Sequence, residues 1–542
     1  MRPLKNDGAI RKAWVRSRAA LVAFVLVAVI GAELPAQQTG MASAQSSETY
    51  LDGSPYLSLG HWVYDYVNVL IARGRLSDLQ PLVQPYRRID VARALLRAER
   101  ERDLSSTERE WIEELRQEMA YEFRLVEGAA SQGLRFTGEF AAGGKAISQR
   151  HRDPLRPEGD AAAYALLDLF LVGDAPLVAG AFRLRWDNHL LNDPQFPNGD
   201  AIEFRDCDWF GQCAHRVDEG YLELQVPYIR LFFGRMARNW GLPGVAGLMV
   251  SDYSYSYDQL GYRFGNSTIS LTGFLALPND FLGDTVRYFT VHRLDWQIRD
   301  DITLAVSESS LWGGPGARFD LALINPVGIW QMSGSDAQPE RNSNGLIELW
   351  WRPRNDLAIY GGLLVDNTMF GAEGNKEGLT QWGSVIGVQF PALTPTLSVR
   401  ADLSVINSLA YRSRIGPFEA YTLNGISYGH DKTGAIVLSV GGDWFARKGL
   451  VLKPRLDVMW KGDADVTDPW PADAFSTYPG ILPGLAETTV RPALLGRARW
   501  WWADIEWDLG LNLVKNKDNL SAGWDLEGVG RLQVVFRKSL LR

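Results

Sequence analysis

From residue 133 the sequence takes a period of two, and in several segments apolar and charged or polar residues alternate one by one. Phe182, Leu184 and Trp186 interleave with Arg183 and Arg185, and Leu222, Leu224 and Val226 with Glu223 and Gln225. Leu397, Val399 and Leu403 oppose Ser398, Arg400 and Asp402; Leu456, Val458 and Trp460 oppose Arg455 and Asp457. Ile505, Trp507, Leu509 and Leu511 oppose Glu506, Asp508 and Asn512. A period of two places each set on its own face of a β-strand. Such strands either form a soluble sandwich or close into a membrane barrel, with the apolar faces on lipid and the charges in the lumen.

The connections favour the barrel. Short turns at 173–176, 265–267, 299–301, 353–356, 391–395 and 447–449 alternate with long stretches at 191–220, 238–254, 314–345, 408–434, 463–490 and 517–526. That is the alternation of periplasmic turns and extracellular loops in an up-and-down barrel. Residues 421–428 read as a strand, but counting them would invert the later turns and loops, so they belong to a long loop. The expected fold is an all-β membrane barrel of about eighteen antiparallel strands, an even number as single-chain bacterial barrels require. The last strand, 529–536, returns to the periplasmic side. A secreted propeller is the other all-β reading; no repeat of blade length supports it.

Residues 1–44 read as a signal peptide: six basic residues lead into the apolar run 19–30, and Ala42-Ser43-Ala44 offers a cleavage site. An uncleaved anchor is the alternative. Removing the peptide takes the formal charge from −8 to −12, which argues against a nucleic-acid partner. Nowhere after it is an apolar run long enough for a spanning helix. Trp, Tyr and Phe number 20, 19 and 22, which suits a barrel with interfacial aromatics. Cys207 and Cys213 share one polar stretch, and export to an oxidising compartment points to a local disulfide.

No reaction centre is legible. The six histidines are scattered without metal-ligand spacing, and there is neither a G-x-S-x-G elbow nor a phosphate loop. His292 has no serine fixed beside it, so it reads as structural. The chain is expected not to be an enzyme and to need no cofactor or metal.

Residues 56–126 follow a helical period. His61–Arg73 gathers Trp62, Tyr66, Val69 and Leu70 on one face, and Gly74 stops it. Asp90 is expected to cap a second helix, and Ser105 with Glu108 forms a capping box for a third. Two readings compete for this three-helix bundle: a cell-wall-gripping, surface-layer-homology-like segment, or a plug at the periplasmic mouth of the barrel. The second is preferred, with cell wall or export machinery as a partner of the bundle. Domain bounds of 1–44, 45–130 and 131–542 follow for signal, periplasmic bundle and barrel.

The expected lumen carries both signs: Arg183, Arg185, Arg235, Arg293, Asp295, Arg400, Asp402, Arg455, Asp457, Arg497 and Arg499. Charges of opposite sign on neighbouring strands can bridge, so a partly filled lumen is expected over a wide pore. In the hairpin 228–257 (YIRLFFGRMARNWGLPGVAGLMVSDYSYSY), strict alternation puts Arg230 inside and Arg235 towards lipid. A bulge at Gly234 would return Arg235 to the lumen. At the outer strand ends, aromatic and polar residues lie side by side. Trp240, Tyr253, Tyr255, Tyr257, Trp330, Trp470 and Tyr478 are the candidate sugar contacts, since sugars lay C–H faces on rings while their hydroxyls bond to Asp, Asn and Arg. The competing reading is the aromatic girdle of any such barrel.

The chain resembles the capsule assembly Wzi family of outer-membrane proteins. The likeness rests on HWVYDYVNVLIARGRL with RRIDVARALL, then GRMARNWG, SDYSYSY, RYFTVHRLDW and Ile324-Asn325-Pro326, in that order. It implies a barrel of about eighteen strands with a periplasmic helical bundle. It also implies a non-enzymatic lectin in the outer membrane that binds and retains capsular or other surface polysaccharide. No glycan motif of the family maps onto this chain, and the Cys207/Cys213 loop and the 463–490 loop have no counterpart in it. The functional alternative is a substrate-specific porin, which the charged lumen would suit.

Overall fold

The structure, a computed structural model, describes residues 53–101, 103–149, 153–187, 214–278, 286–326, 341–366, 381–413, 416–471, 479–500 and 502–541. The expected signal peptide, the Cys207/Cys213 pair, Trp330 and Tyr478 lie outside these residues.

Eighteen antiparallel strands close into one barrel. They are β1 (Arg135–Ile147), β2 (Ala162–Ala175), β3 (Val178–Asp187), β4 (Ala214–Val226), β5 (Ile229–Met236) and β6 (Tyr257–Gly265). Next come β7 (Ile269–Ala276), β8 (Val286–Arg299), β9 (Ile302–Gly314), β10 (Asn342–Arg354), β11 (Leu357–Asp366) and β12 (Gln381–Thr394). The remainder are β13 (Leu397–Ile406), β14 (Ala435–Arg447), β15 (Leu450–Lys461), β16 (Glu487–Arg499), β17 (Ala503–Lys515) and β18 (Trp524–Leu541). β18 pairs with β1, so no sheet edge remains to expose unpaired backbone to lipid. The sequence had shown six short turns; the structure adds two, at 227–228 and between Arg499 and Ala503. Tyr228, in the first of these, takes the left-handed region at φ 65°. Residues 421–428 form a miniature hairpin, Thr422–Leu423 against Ile426–Ser427, outside the barrel sheet as expected.

The alternation sorts as the period of two requires. Leu222 is 62 % exposed and Leu509 52 %, while Glu223 and Asp457 are buried. Near the short turns, Tyr228, Trp296, Trp351, Trp444, Trp500 and Trp502 all face outward and exposed, an aromatic girdle at the height of lipid headgroups. A closed barrel wearing an apolar belt and such a girdle is a transmembrane barrel of the outer membrane.

Among the described residues four helices precede it: α1 (Val63–Ala72), α2 (Arg88–Glu99), α3 (Ser106–Glu118) and α4 (Ala120–Val126). Where the periodicity predicts one third helix there are two, because Met119 leaves helical geometry at φ −107°, ψ 31°. The capping box forms: Ser105 Oγ accepts from the Glu108 N–H while Glu108 accepts from the Ser105 N–H. Asp90 is not the cap of α2. Arg87 holds that position, and the Asp90 carboxylate in the first turn bonds the Arg87 guanidinium. Gly74 ends α1 at φ 78°, and a Cβ there would stand 2.1 Å from the Arg352 guanidinium.

The bundle sits in the short-turn mouth. Tyr66 and Trp111 pack at a tilt against the barrel residue Phe445, with ring centroids 4.9 and 4.3 Å away, and all three are buried. Burying each such ring contributes on the order of 1.5–3 kcal/mol. Arg73 donates to the carbonyls of Pro391 and Pro395 at the β12–β13 turn, at 2.9 and 3.0 Å. Gln80 donates to the Ser267 carbonyl of the β6–β7 turn, and Arg499 lies over the Trp62 ring.

Candidate functional site: a lumen closed by its own loops

The β5–β6 loop, 237–256, turns into the barrel because its backbone finds partners there. Asn239–Trp240 pairs antiparallel with Val83–Gln84 from the segment between α1 and α2. Asn239 holds the inner turn through both amide atoms, donating to the Val245 carbonyl and accepting from the Gly247 N–H. Trp240 is fully buried, 5.6 Å from the Phe274 ring and 5.9 Å from the Arg293 guanidinium.

A second loop, 407–434, descends onto the first. Tyr411 Oη donates to the Leu248 carbonyl at 2.6 Å, and Tyr421 Oη to the Met249 carbonyl at 3.1 Å. The Ser251 N–H donates to the Tyr428 carbonyl, and Ser251 Oγ to that of Gly429. Tyr428 stacks on Phe289 of the wall at 4.2 Å. Arg287, on β8, donates to the carbonyls of Phe418, Thr422 and Ala420, so one wall residue satisfies three loop acceptors. Arg412 carries the connection onward to the carbonyls of Asp468 and Pro469.

Beneath the loops, Arg293 pairs with Asp295 at 2.8 Å and with Glu348, while Tyr360 Oη donates to Glu348 at 2.6 Å. All three charged side chains are fully buried. Arg183 pairs with Asp168 and Glu219, and Arg185 stands 3.9 Å from both Asp168 and Asp218. Arg400 pairs with Asp402 and donates to the Pro243 carbonyl of the inward loop; Arg455 pairs with Asp457. Arg497 and Arg499 reach the bundle, at Asp65 and Glu114.

Arg235 departs from the expected lumen set. The pairing of β5 with β4 and with β6 runs through Gly234 without a shift, so no bulge forms. Arg235 stays on the outward face near the outer rim, paired across strands with Asp258 at 2.7 Å. Gly234 is required for a different reason: at φ 132°, a Cβ there would lie 2.1 Å from the Gly220 carbonyl oxygen.

The candidate sugar contacts separate. Trp240, Tyr255 and Tyr257 are buried within the plug, which removes them from the outer surface and corrects the sequence expectation. Tyr253 is half-buried and lines a chamber of about 420 Å³ in the long-loop half of the lumen. Trp470 is half-buried in the outer loops, where its backbone N–H donates to the Ser413 carbonyl.

Around Tyr253 the chamber carries residues that the sequence reading missed: Asp153, His430, Asp431 and Lys432. Lys432 Nζ bonds Asp153 at 3.0 Å and also Asp431. Burial works against the Asp431 carboxylate, but Lys432 outweighs it and holds its pKa below the usual range. His430 Nδ1 stands 3.2 Å from Asp431, yet burial keeps the ring's pKa below its ordinary value. The ring is neutral, since Nδ1 accepts the Lys432 backbone N–H. The legible signal was the polar string His430-Asp431-Lys432 in a loop already read as long. On the wall, Arg455–Asp457 and Arg491–Asp508 continue the paired charges.

A barrel of this strand count, a helical bundle in its short-turn mouth and loops folded inward together allow comparison with known structures. The fold is similar to that of Wzi. That protein is described as an outer-membrane protein involved in group 1 capsule assembly in Escherichia coli and as a carbohydrate-binding β-barrel. The likeness covers 90 % of this chain and 99 % of that one, at a TM-score of 0.59 and 12 % identity. The Pseudomonas aeruginosa proteins OccD3 and OccK5 align more loosely, at TM-scores of 0.44 and 0.42 and identities of 11 % and 9 %. They cover 76 % and 75 % of this chain, and 94 % and 98 % of theirs. No family model and no curated protein matches the sequence.

Proposed function

We propose that this chain is a lectin-like barrel that binds capsular or other surface polysaccharide at its long-loop end and retains it on the cell. The observation that carries this reading is the filled lumen: two loops and the bundle are bonded into the barrel, which suits holding a polymer better than conducting a solute. The Tyr253 chamber supports it chemically. Its charges are largely paired already, so it offers donors and acceptors in equal measure, as sugar hydroxyls require, beside one aromatic face. The carbohydrate binding ascribed to Wzi is in keeping with this. The signal peptide at 1–44 would deliver the chain to the outer membrane, and the bundle at 45–130 would face cell wall or export machinery.

Purified barrel should bind the host's surface polysaccharide, and binding should weaken when the 463–490 loop is shortened or Tyr253 becomes Ala. Deleting the gene in a capsulated host should release polymer into the medium. Unchanged cell-associated polymer together with steady single-channel conductance in planar bilayers would replace this reading with the porin.

A further inference from the structure

A second chamber, of about 580 Å³, lies inside the wall formed by β4–β7, behind residues 78–97 of the bundle, and reaches the short turns at 227–228 and 265–267. Its charges do not balance. Six arginines line it against three acids, Asp78, Asp90 and Glu223. Asp78 is taken by Arg97, and Asp90 by Arg87 and Arg93. Glu223 accepts from the Tyr56 hydroxyl and the Gln225 amide.

The arginines left over meet only neutral acceptors among the described residues. Arg230 donates to Tyr56 Oη at 3.3 Å, Arg263 to the Asn266 carbonyl at 3.2 Å, and Arg238 to Gln259 Oε1 at 2.7 Å. Two of them are also opposed. Arg230 and Arg263 are direct cross-strand partners on the inward face of β5 and β6, an arrangement that is destabilising for like charges. Across the next strand pair, Thr272 stands opposite Arg263, buried, with a hydroxyl that has no partner.

A barrel that pairs Arg183, Arg293, Arg400, Arg455, Arg491 and Arg497 with carboxylates has here left two arginines facing each other beside an idle hydroxyl donor. We infer that this periplasm-facing chamber is a binding site for an oxyanion, a carboxylate or phosphate group on a small ligand or polymer end. Guanidinium forks match such groups by two parallel hydrogen bonds, and a bound anion turns the Arg230–Arg263 repulsion into a shared clamp. The site is separate from the Tyr253 chamber and shares none of its lining residues.

The test uses the purified mature barrel in detergent, titrated with inorganic phosphate and with glucuronate, against sodium chloride at equal ionic strength. One oxyanion should bind saturably and raise the unfolding temperature where chloride does not. Phosphate alone doing so points to a phosphorylated ligand, glucuronate alone to an acidic sugar. Arg263→Gln should weaken that binding at least about tenfold, the usual loss for a charged hydrogen bond. In chloride it should melt no lower than the parent, since it relieves the opposed pair. Arg354→Gln, which breaks an exposed pair with Asp356, should change neither. Thr272→Val, which leaves all charges in place, should also weaken binding and serves if Arg263→Gln does not fold. Equal effects of chloride and both oxyanions, or unchanged affinity in the variants, would overturn the inference.

Discussion

Tyr411 donates its hydroxyl to the Leu248 carbonyl, 163 residues away in sequence, and so ties together the two loops that close the lumen. Both residues are fully buried, so the Leu248 carbonyl has no water to take the donor's place. Tyr411→Phe should cost about 1–3 kcal/mol at the loop junction, the penalty for a buried carbonyl left unsatisfied, with little change in global stability. Bilayer recordings should show brief openings absent from the parent; a silent variant would mean that the remaining contacts hold the plug alone.

The second expectation concerns Arg293, held between Asp295 and Glu348 with no exposed surface. Replacing it by Met leaves two carboxylates buried together without a cation. Breaking a buried pair by removing one partner costs roughly 3–5 kcal/mol. The urea midpoint of the folded barrel should fall accordingly. Replacing Arg299, whose pair with Asp301 is exposed at a turn, should leave that midpoint unchanged, since such surface pairs contribute little.

Arg73 connects the bundle to the wall through two turn carbonyls, and within the bundle it makes an ion pair with Glu108 at 3.5 Å and a contact over Trp111. Arg73→Ala removes all four at once while leaving the strand ladder intact. Limited proteolysis should then cut within 100–130 at protease concentrations the parent resists, and the barrel fragment should keep its heat-modifiable mobility on gels. Cleavage matching the parent would show that the aromatic contacts at Phe445 suffice.

Acidification should loosen the 407–434 loop. The His430 pKa is held below its ordinary value by burial, so below about pH 6.5 the undocked state takes up a proton more readily than the docked one. The stability this neutral ring contributes is complete above that value and is lost as the pH falls towards the folded pKa. Asp431, also lowered, acts with the same sign further into the acid range. Lys432, raised by Asp153 and Asp431 against burial, adds stability that is lost only as the pH climbs through the alkaline range. Hydrogen exchange of the loop amides at pH 7 and pH 5 should show faster exchange at the lower value, and His430→Gln should flatten the difference.

Much of the architecture was legible because the signal is local. Alternation along Phe182–Trp186 or Leu456–Trp460 reports which side chains share a face, and turn lengths report on which side the chain emerges. Within the candidate site the same logic put Arg293 with Asp295, Arg400 with Asp402 and Arg455 with Asp457 on one face, each two residues apart on one strand; bridges were expected between neighbouring strands, and the pairing along the strand came only with the structure. It erred at Arg235, where the rule that charges belong in the lumen was extended to a rim position that water and Asp258 already satisfy.

The sequence by itself determined the faces and the presence of a helical prelude, since each follows from a period of two or of 3.6 within a few residues, and the count of about eighteen strands, which follows from the alternation of short turns and long loops. Only the tertiary structure decided that Trp240, Tyr255 and Tyr257 lie inside, that Arg287 grips a loop over 130 residues away, and that Arg230 faces Arg263. A loop's direction depends on where its carbonyls and hydroxyls find partners, and those partners are brought near only when the barrel has closed.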